Sequence, residues 1–170
     1  MSIADRLIRA GILAAAAALV PLAASADEKA TTVTVSLSDS GGSAMDMMMD
    51  APDMGMGMGG DMAGATMFIT MNQSTIPAGE VTFEVTNDSD DFEHEMIVAP
   101  LADASAPLPY DADEMAVDED AAAAIGEVPE LEPHGKGSAT FHLQPGSYIL
   151  FCNVPGHYRM GMWTLLTVTG

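Results

Sequence analysis

The stretch "CNVPGHYRMGM", Cys152–Met162, decides the reading of this chain, because it carries the only cysteine. His157 stands five residues after the thiol and Met162 five further on, with Met160 between them. Pro155-Gly156 makes a tight turn able to carry His157 back beside Cys152. With one cysteine there is neither an internal disulfide nor a Cys-x-x-Cys site. A free thiol outside the cytoplasm oxidises or cross-links unless something occupies it. The compartment therefore matters to the chemistry.

The N-terminus reads as export. "MSIADRLIRA" supplies Arg6 and Arg9, "GILAAAAALVPLA" is an apolar run, and Ala24-Ser25-Ala26 is a small-x-small cleavage site. That is the layout of a secretory signal peptide, residues 1–26. The run is shorter than the roughly 20 apolar residues of a membrane span, and no later run reaches that length. The expected mature chain, 27–170, is a single domain, periplasmic or otherwise exported, and a monomer. It keeps Lys29, Lys136 and Arg159 against 24 acidic residues (all but Asp5 of the 25), a formal charge of −21. Such a chain is repelled by nucleic acid and anionic membranes and drawn to basic partners.

Short strand-like runs, the first of them alternating, recur along the remainder of the chain. "TTVTVSL" (31–37), "MFITM" (67–71), "EVTFEVTN" (80–87), "HEMIVA" (94–99), "SATFHL" (138–143), "SYILFC" (147–152) and "WTLLTVT" (163–169) read as strands. About seven short strands separated by turn signals point to an antiparallel β-sandwich. "DADEMAVDEDAAAAIGE" (111–127) reads as a short acidic helix, with Asp111 as cap and Glu114 completing a capping box. Residues 39–65 change to Gly, Asp and Met without period and read as a loop insertion.

Within that frame Cys152 ends a strand and His94 begins one. Two histidines, a thiolate and a weak methionine are the ligand set of a type 1 copper centre. Thiolate and thioether suit Cu(I), and the imidazoles also serve Cu(II). Met162 is a candidate thioether ligand, with Met160 as the alternative. His134, in a turn, and His142, alternating with Phe141 and Leu143, are expected at the surface. Asn87 is expected to brace the copper loop rather than to ligate.

The stretch "LQPGSYILFCNVPGHYRMGMWTLLTV" (143–168) resembles the copper loop of the cupredoxins, the family of azurin, plastocyanin, rusticyanin and sulfocyanin. The Cys-x4-His-x4-Met spacing, with Gly161 before Met162, is most similar to the rusticyanin and sulfocyanin branch. "IPAGEVTFEVTN" followed by His94 resembles the family's approach to its first histidine. The similarity runs from Thr66 to Gly170. It implies a Greek-key β-sandwich, His94, Cys152 and His157 as equatorial ligands, Met162 as axial ligand, and one-electron transfer without catalysis. Family members carry Asn or Ser after the first histidine to hold the cysteine loop. Glu95 stands there in this chain, so that contact is expected to be lost or Glu95 to point outward.

"AMDMMMDAPDMGMGMGGDM" (44–62) remains. It holds eight methionines (Met45, Met47, Met48, Met49, Met54, Met56, Met58, Met62) and four aspartates. One reading is a disordered insertion. Another is a thioether trap for additional Cu(I). A core role is not expected, because neither a strand nor a helix period survives the glycines. Two function classes remain open: an electron shuttle whose partner is a basic redox protein such as a c-type cytochrome, and a copper-delivery or copper-resistance protein exchanging metal with a trafficking partner. Copper catalysis would need a second site with further histidines, and a binuclear site a second cysteine.

Overall fold

Alternation in "TTVTVSL" puts Val33, Val35 and Leu37 on one face of a strand, and all three are fully buried. The same period recurs at 67–71 and 79–87. The computed structural model describes residues 30–41, 53–58 and 62–170. The expected leader, residues 1–26, and Met45, Met47, Met48 and Met49 lie outside the described residues. The strands are β1 (Thr31–Asp39), β2 (Met67–Met71), β3 (Thr75–Pro77), β4 (Gly79–Asn87), β5 (His94–Pro100), β6 (Tyr110–Asp111), β7 (Ala116–Val117), β8 (Gly126–Leu131), β9 (Lys136–Leu143), β10 (Gly146–Phe151) and β11 (Trp163–Thr169). No described helix is long and apolar enough to cross a membrane.

Two sheets face each other in a Greek-key sandwich. One has the order β2-β1-β4-β9, the other β3-β11-β10-β5-β8, and β6-β7 form a small separate ribbon. Val81, Phe83 and Val85 of β4 join the β1 side chains from one sheet. Met96, Val98, Leu150, Leu166 and Val168 meet them from the other. All seven expected strands are present. The sheets are mixed rather than antiparallel, however, since β1 pairs parallel with β4 and β11 parallel with β3. Those pairings join strands from distant parts of the chain, which local alternation does not encode.

The acidic helix expected at 111–127 does not form. Asp111 does cap a turn, its Oδ1 accepting from the amides of Asp113 and Glu114. Asp118 caps a second, accepting from Ala121. Met115 and Ala123 then adopt φ of 55°, the left-handed conformation that ends a helix. Each cap therefore starts a single turn, with β7 between them.

The methionine segment also departs from expectation. Met54 and Met56 are each 1% exposed, and Met56 packs with Ile97, Phe151 and Tyr158 in a second core cluster. The core role that the missing period argued against is what these two residues have. Their glycines serve close approach. A Cβ at Gly55 would meet the Tyr158 ring at 2.8 Å, and one at Gly57, where φ is +72°, the Pro107 nitrogen at 2.6 Å. Met58 packs beside the same cluster, and Met62, in a 3-10 turn (Met62–Gly64), is exposed.

Candidate metal centre

β5 and β10 are hydrogen-bonded neighbours, Ile97 opposite Phe151. The start of β5 and the end of β10 thus lie side by side, which brings His94 next to Cys152, one residue past β10. A bulge between His94 and Met96 breaks the β5–β8 register at this point. Such irregularities re-aim side chains beside functional sites. Here His94, Glu95 and Met96 are all buried in succession.

His157 returns through the turn at Pro155-Gly156, where Gly156 takes φ of 86°. Its amide bonds the Val154 carbonyl at 2.9 Å, and the Gly156 amide bonds the Met115 carbonyl at 2.8 Å. The loop closes on itself through Cys152 N to Met162 O and Met162 N to His157 O, both 3.1 Å. Met162 and Met160 are both buried in the main core cluster with Cys152.

The result is a three-donor cluster. One ligand atom each from His94, Cys152 and His157 lies within 4.8 Å of the others, the only such group among the described residues. The two Nδ1 atoms are 3.2 Å apart, and Cys152 Sγ is 3.5 Å from His157 Nδ1. Burial drives both imidazoles towards the neutral form, the state that ligates: His94 is lowered, and His157, which also faces His94, falls to about 4. Burial likewise pushes the Cys152 thiol up to about 12, against backbone hydrogen bonds from Glu95 and Val154 that pull it down. The Glu95 amide donates to Sγ at 3.5 Å. A sulfur that receives amide protons in a dry pocket is prepared to carry negative charge once a cation replaces its proton. The donor set fits copper: one thiolate, two imidazoles and no carboxylate in the cluster, with Met160 and Met162 in the same buried core as Cys152.

Glu95 neither points outward nor abandons the loop. It is 7% exposed, and its Oε1 accepts from the Asn153 amide at 3.1 Å, holding the residue after Cys152. Burial, with the charges of Glu130 and Glu127, raises its carboxyl to about 7. Asn153, which carries no signal of its own in the sequence, extends this brace. Its side chain bonds Val117 N at 2.6 Å, Val117 O at 3.0 Å and Glu119 Oε1 at 2.9 Å. Asn87 braces a different loop from the expected one. Its Nδ2 bonds the carbonyls of Phe92 and Leu131, both at 2.8 Å, and its Oδ1 accepts from the Ser89 amide at 3.0 Å. It therefore fixes the 88–93 approach to His94.

His157 is buried, 3% exposed. Its ring backs onto a surface groove of about 420 Å³ formed with Phe92, Pro133, Val154 and Pro155 and rimmed by Asp91, Glu93 and Glu132. His134 and His142 are exposed and away from the cluster, as expected, His134 lying 3.4 Å from Asp90.

The family model of copper binding proteins of the plastocyanin/azurin family matches residues 55–169, reaching into the methionine segment. No curated relative matches the chain. Among solved structures, the dithionite-reduced auracyanin of the photosynthetic bacterium Roseiflexus castenholzii is similar at 20% identity. That match covers 83% of this chain and 98% of that one, with a TM-score of 0.47. Auracyanin A, a "blue" copper protein of the green thermophilic photosynthetic bacterium Chloroflexus aurantiacus, gives 21%, 81%, 99% and 0.48 in the same order. Rusticyanin of Thiobacillus ferrooxidans gives 20%, 83%, 79% and 0.44.

Proposed function

The chain belongs to the copper-binding proteins of the plastocyanin/azurin family, and from that premise we propose that it is an exported single-electron carrier holding one type 1 copper. His94, Cys152 and His157 would hold the copper, with Met162 as a fourth, weaker thioether donor. One observation carries the reading: three buried donors of the right chemistry already converge within 4.8 Å. Copper supplies the one-electron couple, and the residues supply a dry, fixed pocket for both of its oxidation states. The imidazoles are neutral before metal arrives, so only the thiol proton has to leave.

The leader-like residues 1–26 support work outside the cytoplasm on a mature chain starting near Asp27. Electrons pass through the His157 edge, where the apolar groove brings a partner within reach. The acidic rim and the chain's net charge of −20 favour a basic redox protein, of which a c-type cytochrome is one kind. The visible spectrum of the copper-loaded protein tests the reading. Intense blue absorption is expected, and Cys152→Ser abolishes it, leaving at best a weak site of harder ligands. A serine variant that stays intensely blue would remove Cys152 from the site.

A further inference from the structure

Behind His94, on the side away from Cys152, lies a carboxylate. The Asp39 side chain at the end of β1 is 3% exposed, and its Oδ2 stands 3.6 Å from His94 Nε2. That oxygen is buried with no hydrogen-bond partner of its own. Ser89 Oγ lies 2.8 Å from the same Nε2. Three features bring the trio together. The Asp88 amide bonds the Leu37 carbonyl at 2.7 Å, Asn87 holds the Ser89 amide, and the Gly41 amide fixes Asp39 Oδ1 at 2.5 Å.

We infer that Asp39 and Ser89 are positioning residues for the metal, locking His94 as the Nε2–H tautomer and thereby leaving its Nδ1 lone pair free to face the copper. This rests on the reading of His94 as a ligand. The direction of the hydrogen bonds follows from what each group can do. A carboxylate only accepts. With its own proton given to the Asp39 carboxylate, the Ser89 hydroxyl can only accept from His94, which places the imidazole proton on Nε2. Nδ1 is then bare. In the metal-free protein the facing His157 Nδ1, 3.2 Å away, has to be the donor of that pair. A carboxylate behind an imidazole also makes it a more basic ligand, and such outer partners set metal affinity by about 10–100-fold when removed. A buried negative charge favours Cu(II) over Cu(I). Its removal therefore raises the reduction potential.

Two measurements test this. Nitrogen-15 NMR of the metal-free protein should show His94 protonated on Nε2 and His157 on Nδ1. Ser89→Ala and Asp39→Asn should both admit the other tautomer at His94, while Ser89→Thr, which keeps the hydroxyl, should retain the wild-type one. In the copper-loaded protein, Asp39→Asn should lower the preference for Cu(II) over Cu(I) about tenfold, a rise of about 59 mV for one electron. A wild-type His94 protonated on Nδ1, or an Asp39→Asn potential equal to wild type, overturns the inference. Should Asp39→Asn fail to fold, the Ser89→Ala and Ser89→Thr pair decides it in the metal-free protein. A copper-loaded wild type without blue colour would overturn the copper reading while the tautomer measurement still stands.

Discussion

Met56 separates two accounts of the methionine segment. In the structure its side chain is 1% exposed and packs with Ile97, Phe151 and Tyr158. Met56→Ala removes three heavy atoms from a site that cannot collapse, because Tyr158 is pinned between Phe151 at 5.9 Å and Tyr110 at 6.1 Å. Buried Met→Ala changes cost about 2–5 kcal/mol. A mid-range loss of about 3 kcal/mol in a domain of this size lowers Tm by roughly 10 °C. Met56→Leu keeps the volume and should cost less than about 1.5 kcal/mol. A thioether trap gives the opposite pattern, since neither alanine nor leucine ligates and both would lose Cu(I) equally. Thermal unfolding followed by Trp163 fluorescence is a suitable assay. This is the only tryptophan, and its indole N–H donates to the Met54 carbonyl at 2.8 Å. Unchanged Tm in Met56→Ala, with Cu(I) lost equally in both variants, would refute the packing account.

Two further outcomes are expected. Met162→Gln should keep the blue colour and lower the potential, because an oxygen donor favours Cu(II); a tenfold shift corresponds to about 59 mV. Met160→Gln is the control, and a larger effect there would exchange the two assignments. Electron transfer to a basic cytochrome should slow on the order of tenfold as ionic strength rises, through screening of the acidic rim at Asp91, Glu93 and Glu132. A rate indifferent to salt in stopped-flow would remove the steering role of those carboxylates.

The legible part of the sequence is local. Alternation locates β1, β2 and β4, which bury one face at a period of two, whereas β5 and β10 are legible as short apolar, β-branched or aromatic runs that are buried on both faces. β8 escapes that reading for a physical reason. Its sequence, "GEVPEL", contains Pro129, which a central strand excludes, but β8 is the edge of its sheet and can hold a proline. The false helix arises from true caps at Asp111 and Asp118, followed by turns that left-handed residues stop after one cycle. In the site, the thiol, the turn and the second histidine are readable from spacing and donor chemistry. Asp39, Ser89 and Asn153 are not, because each acts through a contact made only after the sheets assemble. Glu95 misleads because a charged residue after the first histidine suggests solvent, whereas the bulge in β5 turns it onto the Asn153 amide.

The described parts of the two segments that composition sets apart, methionine-rich and acidic, both fasten the 152–162 loop. Met54 N bonds Arg159 O at 2.9 Å, and the Arg159 side chain pairs with Asp53 at 2.6 Å while lying over the Tyr110 ring. From the acidic side, Met115 O takes the Gly156 amide, and Val117 and Glu119 take the Asn153 side chain. The Thr66 amide adds a bond to Met160 O at 3.3 Å. A loop held only at Cys152 and Trp163 would place His157 and Met162 loosely, and each change of oxidation state would then be accompanied by backbone movement. Fastened at residues 153, 156, 159 and 160 as well, it keeps its donors where they are. If the chain carries single electrons as proposed, such fastening is useful, because a pocket acceptable to both oxidation states that resists relaxing towards either keeps the reorganisation on transfer small. On the proposed function, residues 53–54 of the methionine segment and residues 115–119 of the acidic one are outer clamps of the candidate metal centre.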